Sequence, residues 1–207
     1  MNGLFIFDFD GTICDSFLTF IEALNHHCEK YRYRRIEPAA IESLREMSSR
    51  EVLHHLGIPV RTLPFVVRSV RKFLLTRLGG LKSISGISEA ITALRANGNQ
   101  VGCITSNSEE LVTEFLKKKN ITMDIIVAGS SIFGKARLIR KLMREEGSSL
   151  LHDRIYYVGD ESRDIESAKR AGVKSVAVAW GFNSYQRLSK EEPDYLCIHP
   201  HELLKIV

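Results

Sequence analysis

The feature that most constrains this chain is a series of short apolar runs separated by longer stretches of helical patterning. Leu4–Phe9 is apolar apart from Asp8, is followed by Asp10 and Gly11, and reads as a buried strand entering a loop. Val101–Thr105, Ile125–Ala128, Ile155–Val158 and Ser175–Ala179 repeat the motif. Between them, Ser88–Asn97, Glu109–Lys119, Lys135–Glu146 and Ser162–Ala171 are expected as helices. Ser88 is the expected cap of the first of these and Gly98 its stop. A short strand near Tyr195–Ile198 and a helix from His201 close the pattern. Strands alternating with helices predict parallel βαβ units with right-handed crossovers. The expected class is therefore α/β, with a Rossmann-like three-layer core around a parallel sheet.

One stretch breaks the alternation. From about Ser16 to Lys82 the patterning is helical and no convincing strand is visible. Phe17, Phe20, Ile21 and Leu24 fit one helix face. Ile41, Leu44 and Arg45 suggest a second helix, and Val52, Leu53 and Leu56 a third, ended by Gly57 and Pro59. Leu63–Leu78 suggests a long fourth. The expected organisation is an α/β core of residues 1–15 and 83–207, with a helical cap, residues 16–82, inserted after the first strand and rejoining the core near Gly79–Gly86.

A chain of 207 residues is long enough to bury a large core without disulfides or structural metal. Its cysteines, Cys14, Cys28, Cys103 and Cys197, form no CxxC pair, so they are expected to be reduced and structural. No apolar run approaches the roughly 20 residues needed to span a bilayer. The N-terminal residues lack the basic start and long apolar stretch of a signal peptide. A cytoplasmic protein that engages no membrane is the expectation. The net charge of +4 is too mild to argue for nucleic acid. The positive surplus gathers at Arg32, Arg34, Arg35, Arg61, Arg68, Arg71, Lys72, Arg77 and Lys82. That is either a solvated helical surface or an attractor for an anionic substrate.

The chemistry-bearing residues stand at strand ends. Asp8 and Asp10, two apart in extended chain, point to one side. The carboxyl ends of parallel strands are where open α/β sheets bind ligands. The Ile155–Val158 run is followed by Gly159, Asp160 and, later, Asp164. If the two strands are neighbours, four carboxylates converge. Two like charges about 4 Å apart cost on the order of 4 kcal/mol at an effective dielectric of about 20. Such a cluster needs a cation, shared protons or both. A hard, all-oxygen site suits Mg²⁺. Ser106 and the backbone N–H of Asn107, at the end of another strand, can donate to phosphate. Lys135, opening a helix after Gly134, can add a point charge.

Asp8–Thr12 (DFDGT), Thr105-Ser106-Asn107, Lys135 and Gly159–Asp164 (GDESRD) resemble, in order and approximate spacing, the four motifs of the haloacid dehalogenase superfamily. The helical insertion resembles that superfamily's cap, and Ala179–Asn183 (AWGFN) resembles the tail of its phosphoglycolate-phosphatase-like members. The resemblance covers essentially the whole chain. It implies a phosphatase acting on a small phosphorylated metabolite; a monomer or homodimer that engages no nucleic acid is the accompanying expectation. Asp8 is then the implied nucleophile. Asp10 is the acid for the leaving oxygen and then the base for water. Thr12 helps to position Asp10. Asp8, the backbone carbonyl of Asp10 and Asp160 are the implied Mg²⁺ ligands, with Asp164 acting through water. Ser106, the Asn107 N–H and Lys135 are implied to stabilise the transferring phosphoryl group.

Other features have simpler readings. His26-His27 and His54-His55 lack metal spacing and are expected as surface or packing residues. Trp180 and Phe182 are expected in lid packing or core. Arg50 lies on a cap segment that could reach substrate. Within the superfamily, dehalogenation is disfavoured by Asp10, since dehalogenases lack the second aspartate. Carbon–phosphorus cleavage needs a cap lysine, for which Lys30 and Lys72 are the candidates. A sugar-phosphate mutase would share all four motifs. A non-enzymatic binding module on the same fold is the alternative of a different class, and the intact Asp8, Asp10, Lys135 and Asp160 speak against it.

Overall fold

All four side chains of the first strand, β1 (Leu4–Phe7), are buried. A strand covered on both faces belongs in the middle of a parallel sheet. The computed structural model describes residues 3–129, 134–145 and 154–206. After β1 come β2 (Cys14–Asp15) and the helices α1 (Phe17–Tyr31), α2 (Ile41–Arg45), α3 (Ser49–Leu56) and α4 (Leu63–Thr76). Then follow β3 (Lys82–Ser83), α5 (Ile87–Ala96), β4 (Gln100–Ile104), α6 (Glu109–Lys118), β5 (Ile125–Val127) and α7 (Lys135–Glu145). The chain continues through β6 (Ile155–Gly159), α8 (Ser162–Ala171), β7 (Lys174–Val178), α9 (Tyr185–Ser189) and β8 (Tyr195–Cys197).

Six strands form one sheet in the order β5-β4-β1-β6-β7-β8, every neighbouring pair parallel. Successive side chains of β1 point to opposite faces. Phe5 and Phe7 join a cluster that runs through Ile91 and Leu94 of α5 and Phe115 of α6. Leu4 and Ile6 pack instead with Tyr157, Ile139 of α7 and Ala168 of α8. The result is a three-layer α/β arrangement of the expected class. The chain lays down β4 and β5 on one side of β1, then β6, β7 and β8 on the other. Strand ends part at such a reversal and leave a crevice. Phe7 stands opposite both Cys103 and Val158, so Asp8 emerges level with Gly159 at that crevice.

Between β2 and β3 lie four α-helices and no strand. α1 packs along α4. α3 opens on a capping box in which Ser48 and Glu51 satisfy each other's backbone N–H, and it closes on Gly57 at φ +71°. β2 and β3 pair antiparallel, Cys14 with Ser83 and Asp15 with Lys82, so the two crossings between helices and sheet run side by side. The sequence shows no strand at either place, because two residues are too few for an alternation to register.

Several element ends differ from expectation by a residue or two, among them those of β1 and α5. β1 ends at Phe7, not Phe9, because the Phe9 carbonyl accepts the N–H groups of Ile13 and Cys14 in a turn. α5 starts at Ile87 behind Gly86 at φ +83°, and Ser88 is not its cap; the Ser88 carbonyl instead accepts the Thr92 hydroxyl at 2.8 Å. The terminal helix is a 3-10 segment, Pro200–Lys205. Glu146, the expected end of α7, lies outside the described residues. All four cysteines are buried and unpaired. No helix among the described residues is long and apolar enough to cross a membrane.

Candidate active site

Asp8 follows β1 directly, and its backbone N–H still bonds the Val158 carbonyl at 2.8 Å. Its side chain is therefore aimed by the sheet. Asp8 Oδ1 accepts the Phe9 N–H at 2.8 Å and Oδ2 accepts Lys135 Nζ at 2.5 Å. Lys135, the first residue of α7, also donates to Asp164 Oδ1 at 2.7 Å. Asp164 Oδ2 accepts the Glu161 N–H at 3.1 Å, so one carboxylate both steadies the start of α8 and holds the lysine. Burial lowers the Lys135 ammonium, but Asp164 and Asp8 outweigh it and leave the group well above its usual range.

Asp10, partly buried, is gripped from two sides. The Ser16 hydroxyl donates to Oδ1 at 2.8 Å and the Asn107 side-chain amide to Oδ2 at 2.5 Å. Burial raises the proton affinity of this carboxyl. Both donors depart from the sequence expectations. The Asn107 backbone N–H is occupied by Thr105 Oγ1 at 3.0 Å, and the side chain reaches Asp10 instead. Ser16, six residues past Asp10, sits where α1 begins and carries no motif signal.

Thr12 was expected to steady Asp10; it bonds Asp160 instead, Oγ1 to Oδ1 at 2.7 Å. The other Asp160 oxygen accepts the Phe182 N–H at 2.7 Å. The 180–182 loop thus closes over this carboxylate, tied by the Trp180 indole N–H to the Thr12 carbonyl at 3.1 Å. The approach is so close that a Cβ on Gly11 or Gly181 would stand 2.1 or 2.3 Å from Asp160 Oδ2. Gly11 also has φ +71°, which a side chain disfavours.

Asp8, Asp160 and Asp164 are all buried, and one oxygen of each lies within 4.8 Å of the other two. With Asp10 and Glu161 nearby, five carboxylates face two cations, Lys135 and Arg163, the latter paired to Glu161. Burial, with Asp164 beside it, pushes Asp8 up to about 7 against the pull of Lys135. Burial and the charges of Glu161, Asp164 and Asp8 raise Asp160 well above the carboxylate range. An all-oxygen donor set with surplus negative charge fits a small hard cation.

Above the corner is a cavity of about 180 Å³ that Asp10, Ser106 and Asn107 border on the sheet side and the cap helices on the other. Arg50 and Arg71 reach it from α3 and α4. Arg50 is exposed. Among the described residues, no lysine lines it; Lys30 and Lys72, the candidates for a Schiff base, lie elsewhere on the surface. Two polar ties hold the helices to the corner. The Asn183 amide donates to the Arg45 and Met47 carbonyls at 3.1 and 2.9 Å, and Ser49 donates to Glu161 at 2.5 Å. Phe182 packs edge-on against Phe17 and Phe20, as expected of a lid residue. His26 and His27 pack with Phe73.

The structure thus gathers Asp8, Lys135, Asp160 and Asp164 in one corner, sets Asp10 and Asn107 at its mouth, and leaves Ser106 and Arg50 on the cavity wall. Ser16, Glu161, Arg163 and the Phe182 N–H join them without having been expected; only the glycines beside Asp160 hinted at that crowding.

A parallel sheet whose central strand delivers two aspartates to its switch point, beside a buried lysine and two further aspartates, fits a hydrolase of the phosphatase type. The model of the haloacid dehalogenase-like hydrolases matches residues 5–178, and the chain belongs to that family. It is 33% identical over 204 residues to a phosphoglycolate phosphatase of Synechococcus elongatus, covering 98% of this chain and 95% of that one. It is 25% identical over 215 residues to the pyrophosphatase PpaX of Bacillus velezensis, covering 97% and 94%. A haloacid dehalogenase-like family hydrolase from Streptococcus pneumoniae has the same fold, with a TM-score of 0.79 at 19% identity over 99% of this chain and 97% of that one.

Proposed function

We propose that this enzyme is a Mg²⁺-dependent phosphatase that cleaves small phosphate monoesters through a phospho-aspartate on Asp8. The observation that carries this reading is the division of labour between two aspartates on one strand end. Asp8 is locked to Lys135 in the corner, and Asp10 is held by Ser16 and Asn107 at the cavity mouth. An Asp8 oxygen attacks phosphorus, the bond from phosphorus to the ester oxygen breaks, and Asp10 gives its proton to the departing oxygen. Water then attacks phosphorus, Asp10 takes the water's proton, and the bond to Asp8 breaks to release phosphate. Lys135 and Ser106 face the charge that spreads over the phosphoryl oxygens.

Asp8, the Asp10 carbonyl and Asp160 would hold Mg²⁺, with Asp164 acting through water; the ion, when bound, offsets negative charge on the phosphoryl group. Thr12 and the Phe182 N–H fix Asp160 for this role, and Asn107 fixes Asp10. Residues 16–82 act as a cap over a core of residues 1–15 and 83–207, with the β2–β3 ribbon as its joint. The cap limits the substrate to a small organophosphate, and the Synechococcus relative supports a phosphoglycolate-like ester.

The test is a panel of small phosphate esters with Mg²⁺ present and Asp8→Asn as the blank. Phosphate release that needs both Mg²⁺ and Asp8 is the expected result. Release at the wild-type rate from Asp8→Asn would overturn the reading.

A further inference from the structure

The cavity over Asp10 is apolar to a degree that a two-carbon substrate with two anionic groups does not require. Its cap side is formed by Phe20, Leu53, Val66, Val67 and Val70, among other aliphatic and aromatic side chains. A cavity of about 150 Å³ with such a lining takes up a benzene ring. The volume here, about 180 Å³, accommodates a body of that size. Each methylene moved from water into such a lining gains about fourfold in affinity. Phosphoglycolate has one methylene to offer.

Three polar side chains interrupt this wall, Ser49 and the exposed Arg50 of α3 and Arg71 of α4. Arg71 of α4 lines the cavity half-buried, and its Nε is out of reach of water with no acceptor. Three other arginines have a buried Nε without an acceptor, but each has another partner: Arg163 pairs with Glu161, Arg187 with Glu191, and Arg45 lies over the Phe17 ring. Among the described residues, Arg71 has no such partner. Asp10 lines the same cavity and its charge acts on Arg71, so the guanidinium and the place where the ester oxygen departs border one space. A buried Nε–H without an acceptor is costly, and a carboxylate answers a guanidinium with charge-assisted hydrogen bonds. A second phosphate could supply the charge, as in pyrophosphate, but it would leave the apolar wall without a partner.

We propose that the preferred substrate is the phosphate monoester of an apolar 2-hydroxy acid, with its ester oxygen at Asp10, its carboxylate at Arg71 and its hydrocarbon body in the chamber. This rests on the phosphatase reading and narrows it. Arg71 sets specificity and takes no part in the proton transfers.

The experiment compares kcat/KM with Mg²⁺ for four compounds. They are O-phospho-3-phenyllactate, which has both features; phosphoglycolate, which has the carboxylate alone; 2-phenylethyl phosphate, which has the body alone; and pyrophosphate. Phosphophenyllactate should exceed phosphoglycolate by more than about tenfold. Arg71→Gln should cost the two carboxylate esters about ten- to a hundredfold and phenylethyl phosphate much less, with Arg71→Lys in between. Val67→Phe, which fills the chamber, should lower phosphophenyllactate more than phosphoglycolate. The wild-type ranking needs no variant, so a poorly folded mutant does not shelter the proposal. Phosphoglycolate or pyrophosphate at the head of the ranking overturns it, as does an Arg71→Gln that lowers all four alike. Wild-type cleavage of any of these compounds, lost in Asp8→Asn, preserves the phosphatase reading whatever the ranking. A wild type inert to all four overturns both.

Discussion

The acidic corner and the apolar chamber meet at Asp10 and are built in opposite ways. In the corner, each oxygen of Asp8, Asp160 and Asp164 has a hydrogen-bond donor or a neighbouring carboxylate, and Gly11, Gly159 and Gly181 make room for them. Positions are over-determined there, as fixed chemistry demands. In the chamber, aliphatic side chains face open space, and of the two half-buried arginines that line it Arg163 is paired to Glu161 while the Arg71 Nε is without an acceptor among the described residues. The corner is finished without a substrate, whereas the chamber is finished only by one. Substitutions in the corner should therefore depress every ester alike, and substitutions around the chamber should discriminate among esters.

The largest expected effect is Asp8→Asn, which removes the proposed nucleophile but keeps its shape. Turnover should fall at least about a thousandfold for every ester, with an unchanged circular dichroism spectrum. An ester that escaped this loss would break the comparison at its firmest point. Chelation with EDTA comes next. It should abolish turnover, Mg²⁺ should restore it, and Ca²⁺ should not, because Ca²⁺ admits more ligands and lets Asp8 bind through both oxygens. Undiminished turnover after exhaustive chelation would remove the cation from the corner.

Lys135→Met should act on both activity and stability. It leaves Asp8 and Asp164 buried without their shared cation, a loss of about 3–5 kcal/mol in the metal-free protein. Thermal melting with and without Mg²⁺ measures this, and the variant should gain more from Mg²⁺ than the wild type does. Asn183→Ala should be the mildest. It unties the Arg45 and Met47 carbonyls and the Ser162 N–H, costing about 2 kcal/mol. Because Arg45 and Met47 belong to the helical insertion, its kinetic effect should differ between esters. Equal losses for all esters would place Asn183 with the corner.

The corner was more legible in the sequence than the chamber, and the reason is physical. Asp8, Asp10 and Asp160 follow apolar runs and Asp164 comes four residues later, so local spacing alone places the first three just past strand ends and the last in the first turn of the next helix. The parallel order of the sheet follows from the alternation of runs and helical patterns. Lys135 has no local signal; only the order of motifs singles it out, 127 residues from its Asp8 partner. The partners of each carboxylate were not legible. Thr12 serves Asp160 and not Asp10, and Ser16 holds Asp10 from the start of a helix, because the turn at Phe9–Cys14 decides where those hydroxyls point. The chamber was hidden for a different reason. Leu24, Leu56 and Val70 occupy ordinary helical core positions, and periodicity says which side they face without saying whether the facing side chains touch or leave a gap. Arg71 reads as one more basic residue on a solvated helix until the fold turns it inward.

The central claim is that Asp8 carries the phosphoryl group and Asp10 moves both protons. Asp10→Asn tests it most directly. An activated aryl phosphate needs little help in leaving, so Asp8 should still be phosphorylated, but water then lacks its base. Mixing this variant with aryl phosphate and Mg²⁺, while following released aryl alcohol and intact protein mass together, should show a burst of alcohol and a mass gain of one phosphoryl group on Asp8. Alcohol release at the wild-type steady rate with no adduct would contradict the account, since one residue is assigned to both proton transfers.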